Sequence, residues 1–334
     1  MPGGELLSMV EGSFDWNATA RHHGRTLPIT LQDETLRDGI QSPSARDPSL
    51  GEKIELLHKM EALGIDVINV GLPAASPKNT ADSLALCQEI ARCRMRIRPA
   101  AAGRTVAADV QAIIDISQKA GIAVEVCTFI GSSPIRQYAE AWDLERLSRN
   151  SAEAIDVGVK AGLEVCYVTE DTTRARPETL AALFTLAIDH GARRLCLADT
   201  VGHATPDGVR NLIDFTRGVV VGLGVLDVGI DWHGHNDRGL VLDNALAAIG
   251  HGADRVHGTA LGIGERVGNA PMELVLLNLE LGGIRASVDP SVLEAYCDDA
   301  ARALGFAVPE NHPIIGGAVR ETSAARRLST HATA

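Results

Sequence analysis

Aromatic side chains are scarce: Phe, Tyr and Trp together make only 3% of the 334 residues. That leaves no row of rings on which nucleic-acid bases could stack. Basic clusters are missing too. The formal net charge is −12 and no segment carries a stripe of Lys and Arg, so nucleic acid is not an expected partner. No apolar run is long enough to cross a membrane. The opening residues, MPGGELLSMVEGSFDWN, lack the basic-then-apolar order of a signal peptide. The six cysteines (Cys87, Cys93, Cys127, Cys166, Cys196 and Cys297) show no CxxC spacing. Three of them, Cys127, Cys166 and Cys196, sit inside apolar runs and read as buried thiols in a reducing cytoplasm. What is plentiful is small and aliphatic. Apolar residues make 45% of the chain, enough for the core of one large domain with helices packed closely on a sheet.

One pattern recurs along the chain: a helix end, a glycine, then a short apolar run. It appears as ALGIDVINVG from Ala62, KAGIAVEVCTF from Lys119, KAGLEVCYVTED from Lys160, HGARRLCLADT from His190 and HGADRVHGTALG from His251. The glycine is the expected left-handed helix cap, and the run after it has the make-up of a strand buried on both faces. Amphipathic stretches such as GEKIELLHKMEALG and PETLAALFTLAIDHG lie between the runs. LPITLQDET, RIRPAAAG and VGIDWHGH supply the remaining strands and bring the count to eight βα units. Eight units predict an α/β fold of the (β/α)8 TIM-barrel kind, favoured over a doubly wound open sheet because no Gly-rich phosphate turn follows the first strand. The expected organisation is an N-terminal arm over 1–26, a barrel over 27–283, and a short C-terminal helical extension over 284–334.

A barrel of this kind carries its chemistry where the strands end. The first strand ends with Arg37, Asp38 and Gln41, the second with Asn69, and the fourth with Ser133 and Arg136. Glu170, Asp171 and Arg174 follow the fifth, and Asp199 and Thr200 the sixth. His233 and His235 end the seventh, and GIGERVGN follows the eighth. In a strand, residues two apart share a face, so His233 and His235 either present two imidazoles to one metal ion or form a hydrogen-bonded core pair. Asp38 on a neighbouring strand and Asn269 would add oxygens, a donor set suited to Mg, Mn or Zn in an open catalytic site. Arg37 would steady a developing enolate charge, or pair with a neighbouring carboxylate. Glu170 and Asp171 read as base and orienter or as helix caps; Asp199 and Thr200 as support for the site or a cap. The glycine-rich GIGERVGN, with Gly262, Gly264, Glu265 and Arg266, could let backbone approach a phosphate or pantetheine arm, or simply turn. Arg136 and Arg174 point to a second acidic group on the substrate, or to surface positions.

TLRDGIQ, HGHND and GIGERVGNAPMELV together, in this order, resemble the DRE-TIM metallolyase family over about residues 27–283. Its members include 2-isopropylmalate, homocitrate and citramalate synthases and 3-hydroxy-3-methylglutaryl-CoA lyase. EDTTRA and ADTVG place the chain nearest the synthase branch. The resemblance implies Asp38, His233, His235 and Asn269 as ligands of a divalent metal. It implies Arg37 as the stabiliser of the enolate, Gln41 touching a carbonyl, Glu170 in acid–base work and Thr200 seating a carboxylate. The implied reaction is a Claisen condensation of acetyl-CoA with a 2-oxo acid by a cytoplasmic, homodimeric acyltransferase. The alternative is carbon–carbon bond cleavage, as in the lyase branch.

The chain departs from the family pattern at several points. Asn69 stands in INVGLP where the family usually has glutamate, which removes a carboxylate beside the site. PENHPIIG resembles the start of the synthases' C-terminal region, but the histidine-bearing pattern expected after it has no clear counterpart, His331 being a poor candidate. No allosteric domain is expected, and Arg238 stands where an apolar residue is common.

Overall fold

The computed structural model describes residues 29–319. Eight parallel strands close on themselves in sequence order: β1 (Thr30–Asp33), β2 (Val67–Asn69), β3 (Arg98–Arg104), β4 (Glu125–Gly131), β5 (Val165–Glu170), β6 (Arg194–Asp199), β7 (Gly229–Gly234) and β8 (Arg255–Gly258). Closure is made by β1 against β8, with Thr30 opposite Arg255 and Asp33 opposite Gly258. The open doubly wound sheet is thereby excluded. The helices are α1 (Leu50–Ala62), α2 (Pro77–Cys93), α3 (Ala107–Ala120), α4 (Pro134–Glu140), α5 (Leu144–Lys160), α6 (Pro177–Asp189), α7 (Pro206–Gly222), α8 (Val241–Gly250), α9 (Met272–Leu281) and α10 (Pro290–Leu304). The expected N-terminal arm and the end of the C-terminal extension, His331 included, lie outside the described residues.

Local sequence accounts for the element ends. Ser49 and Glu52 form a capping box at α1, and proline opens α2, α4, α6, α7 and α10, where a missing N–H costs nothing. The recurring glycines Gly64, Gly121, Gly162, Gly191 and Gly252 all have positive φ, as the repeat predicts. Helix α4 is an extra short turn inserted between β4 and α5.

Two layers of core follow from strand alternation. Outward residues such as Leu31, Ile68, Val126, Tyr167 and Trp232 are buried under the helices, each worth about 1.5–3 kcal/mol. Inward residues fill the barrel. Its lower half is plugged by ions: Arg255 binds Glu125 at 2.9 Å and Asp231 at 2.7 Å, and Arg194 binds the other oxygen of Asp231. Above them Cys127, Cys166 and Cys196 pack with Val67 and Ala100. All six cysteines are free thiols and five are buried. After α9, helix α10 packs on α1 and anchors through the Tyr296 hydroxyl, which donates to Asp33 at the end of β1.

Candidate active site

A cavity of about 230 Å³ opens at the C-terminal ends of the strands. Its walls come from alternate inward positions of the strands, which is why polar and apolar residues are sorted by strand. Ala102, Phe129, Val168 and Ala198 from β3 to β6 make an apolar side. Glu34, Asn69, His233 and His257 from β1, β2, β7 and β8 make a polar one.

The polar side converges at one point. His233 Nε2 lies 3.2 Å from Asp38 Oδ2 and 3.3 Å from His235 Nε2, and His235 Nε2 is 3.6 Å from the same Asp38 oxygen. The Asn269 amide is 3.5 Å from His233 Nε2. All four residues are buried, and Asn269 Oδ1 has no protein partner. Two imidazole edges and a carboxylate converging on one point fit a divalent cation, and the unpartnered Asn269 Oδ1 would join them once the amide turns over, since its Nδ2 now faces His233. Burial holds the His235 imidazole down at about 4, so near neutral pH it is an uncharged donor. Burial opposes the charge on Asp38, but Arg37 and the hydrogen bond from His233 outweigh it and keep the carboxyl well below the usual range.

Glycines make the convergence possible. A Cβ on Gly264 would stand 1.7 Å from Asn269 Oδ1 and 3.0 Å from Asp38 Oδ1. A Cβ on Gly262 would approach the Asn269 carbonyl to 2.9 Å. The loop after β8 therefore lies flat enough to press Asn269 against the cluster, and the Glu265 N–H donates to Asp38 Oδ1 at 3.0 Å. So Gly262 and Gly264 have a structural duty apart from any approach to CoA. Arg266 pairs with Asp237 at 2.9 Å, while Glu265 lines the cavity.

Arg37 sits at the rim between two carboxylates, 2.6 Å from Glu34 Oε2 and 3.2 Å from Asp38 Oδ2. Glu34 is buried and also accepts from the amides of Gln32 at 2.5 Å and Asn69 at 3.2 Å. A carboxylate thus stands against Asn69, carried by the residue that follows β1. Gln41, Thr200 and Glu170 line the cavity. Burial raises the Glu170 carboxyl above its ordinary value against the opposing pull of Arg136. Thr200 Oγ1 accepts from the Asp171 N–H at 2.8 Å. Asp199 ties down its loop by accepting from Thr173 and from the His203 and Ala204 amides.

Three expected substrate contacts stand elsewhere. Ser133 donates to Asp171 at 2.5 Å, and Arg174 grips the same carboxylate with two bonds of 2.8 Å. Neither lines the cavity, because Asp171 is buried below the rim and must be neutralised there. Arg136 leans between Glu140 and Glu170, 3.4 Å from each. Both arginines pair with carboxylates of the chain itself, Arg174 with Asp171 and Arg136 with Glu140 and Glu170. Residues that sequence reasoning passed over are Gln32, Glu34, Asp231 and His257. The spacing rule that found His233 and His235 also marks them, since Gln32 and Glu34, Asp231 and His233, and Arg255 and His257 are each two apart.

Fold and rim together define a barrel protein built around a candidate histidine–aspartate–asparagine metal centre. Residues 28–298 match the HMGL-like family. The chain is 33% identical over 293 residues to a 2-isopropylmalate synthase of Sediminispirochaeta smaragdinae and 30% identical over 299 residues to one of Pyrococcus furiosus, each alignment covering 86% of this chain. It spans 57% of the length of either relative. An HMG-CoA lyase of Acinetobacter baumannii, solved with coenzyme A and 3-methylmalate, shares the fold with a TM-score of 0.69 at 20% identity, over 87% of this chain and 94% of that one. The chain belongs to the HMGL-like family, as its resemblance to the DRE-TIM metallolyases implies.

Proposed function

We propose that this barrel condenses acetyl-CoA with a 2-oxo acid to give a 2-substituted malate and CoA, one water being consumed in the thioester hydrolysis. The observation that carries the reading is the convergence of Asp38, His233 and His235 in the same cavity as Arg37 and Glu170, with the Asn269 amide behind His233. A divalent cation bound there (Mg, Mn or Zn by the donor set) would act as a Lewis acid on the oxo acid. The chain's own groups do the rest. Thr200 seats the carboxylate of the oxo acid, and Gln41 contacts a carbonyl at the mouth. Glu170, whose carboxyl burial has raised, takes a proton from the methyl group of the thioester. Arg37, a fixed cation held by Glu34 and Asp38, steadies the oxygen on which charge then develops. Acyl-CoA is placed at the mouth, over Glu265 and Arg266 beside Gly262 and Gly264.

Ser133, Arg174 and Arg136 act on this site through Asp171 and Glu170. The relatives support a transferase, and no described helix is long and apolar enough to cross a membrane. A cytoplasmic homodimer is the assembly that the family resemblance favours; sedimentation of a clean monomer would refute it. The test of the chemistry is product analysis with acetyl-CoA labelled at its methyl carbon. Label in a new malate-type acid supports condensation. Cleavage of a 3-hydroxyacyl-CoA without condensation would assign the site to the lyase branch instead.

A further inference from the structure

The inner end of the cavity has a chemistry of its own, set apart from the rim. Arg37 is the sole Lys or Arg lining the cavity among the described residues, and it is already paired twice. Glu34, Asp38, Glu170 and Glu265 line it as well. The two arginines beneath the floor are saturated, Arg255 by Glu125 and Asp231 and Arg194 by Asp231. His257 lies between carboxylates, 3.5 Å from Glu34 and 3.4 Å from Asp231. A second carboxylate on a substrate would meet acidic groups here and no free cation.

The floor also offers a neutral acceptor. Gln32 is fully buried and lines the cavity. Its Nε2 donates to Glu34 Oε1 at 2.5 Å, and because Glu34 is an acceptor this fixes which end of the amide is oxygen. Gln32 Oε1 is left buried without a partner. Opposite it are small or apolar groups, Ala102, Cys127, Val168 and Cys196, which suit methylene carbons. The cavity volume of about 230 Å³ must hold the oxo-acid head and the acetyl group together, which leaves room only for a short side chain.

We propose that the 2-oxo acid taken by this site carries a short, uncharged side chain that ends in a hydroxyl donor, seated on Gln32 Oε1. The proposal rests on the condensation reading for the identity of the head group. Gln32 is then a specificity-determining residue: it satisfies a donor that an alkyl side chain lacks, and Glu34 beside it repels an acid.

The test is calorimetric binding to the Mn-loaded full chain of three acids of similar length: 4-hydroxy-2-oxobutanoate, 2-oxopentanoate and oxaloacetate. The hydroxy acid should bind about fivefold tighter than the alkyl acid, the usual worth of one neutral hydrogen bond, and oxaloacetate should bind weakest. In Gln32→Met, of similar volume, the hydroxyl preference should fall to about one. Oxaloacetate binding as tightly as the hydroxy acid, or a preference that survives Gln32→Met, overturns the proposal. The wild-type order decides it even if the variant fails to fold. CoA release measured in parallel separates the two readings. The expected binding order without any release overturns condensation and keeps the subsite. Release with the order reversed keeps condensation and overturns the subsite. No binding of any acid overturns both.

Discussion

Gly264→Ala adds one methyl group next to the candidate metal centre without replacing a candidate ligand. The new Cβ would stand 1.7 Å from Asn269 Oδ1, well over an ångström inside ordinary contact, and 2.9 Å from Asn269 Cγ. The amide must retreat, and it takes the orphaned oxygen out of the cluster. Altering a group that merely supports a ligand typically weakens metal binding 10–100-fold, so displacing a ligand should raise the Mn dissociation constant at least about tenfold. That corresponds to about 1.4 kcal/mol less stabilisation by metal at a fixed, saturating concentration. Titration calorimetry with Mn reads the first quantity, and the metal-induced shift in melting temperature reads the second. Gly218→Ala in α7 is the control, since nothing lies within 4 Å of a Cβ there. Unchanged Mn affinity in Gly264→Ala would refute the placement of Asn269 in the metal shell.

Other outcomes follow from named contacts. Arg37→Lys replaces a planar fork that spans Glu34 and Asp38 with a point charge, and kcat should fall on the order of 10²–10³-fold while the barrel stays folded; undiminished turnover would remove Arg37 from the chemistry. Burial raises the Asp33 carboxyl from 3.8 to about 6, so the folded state holds this proton more tightly than the unfolded chain does. Its contribution to stability is therefore greatest below about pH 4, falls by roughly 3 kcal/mol as pH rises to 6, and is flat above. Denaturant melts of Asp33→Asn should lack that fall; a variant that tracks wild type across the window would contradict the assignment. Arg255→Met should cost about 3–5 kcal/mol, because Glu125 is left as an uncompensated buried charge and Asp231 keeps only Arg194, and a variant as stable as wild type would show that the ion plug is dispensable.

The barrel is legible in the sequence because its two signals are local. A helix-capping glycine and a strand buried on both faces repeat, and each is decided by a few neighbouring residues. Closure of β1 on β8 adds only geometry to that count. The two histidines of β7 are legible for the same reason, since alternation is a rule about residues two apart. Partner choice is not local. Nothing near Ser133 in the chain says that it will be drawn to the buried Asp171 and away from the cavity. The missing glutamate of β2 is visible as an absence. That Glu34 stands beside Asn69 emerges only when β1 is laid beside β2, with Asp33 opposite Ile68. The glycines of GIGERVGN were ambiguous for a related reason: their duty is toward Asn269 and Asp38, and one of those lies more than two hundred residues away in the chain.

Carbon–carbon bond formation between a thioester and a 2-oxo acid, dependent on a metal held by Asp38, His233 and His235, is the activity proposed for this site. Free-thiol release from acetyl-CoA, followed across a panel of 2-oxo acids with Mg or Mn present and again after chelation, tests it most directly. The expected result is release that requires one 2-oxo acid, stops on chelation and returns with metal. Release that persists without metal, or no release with any acid, would contradict it.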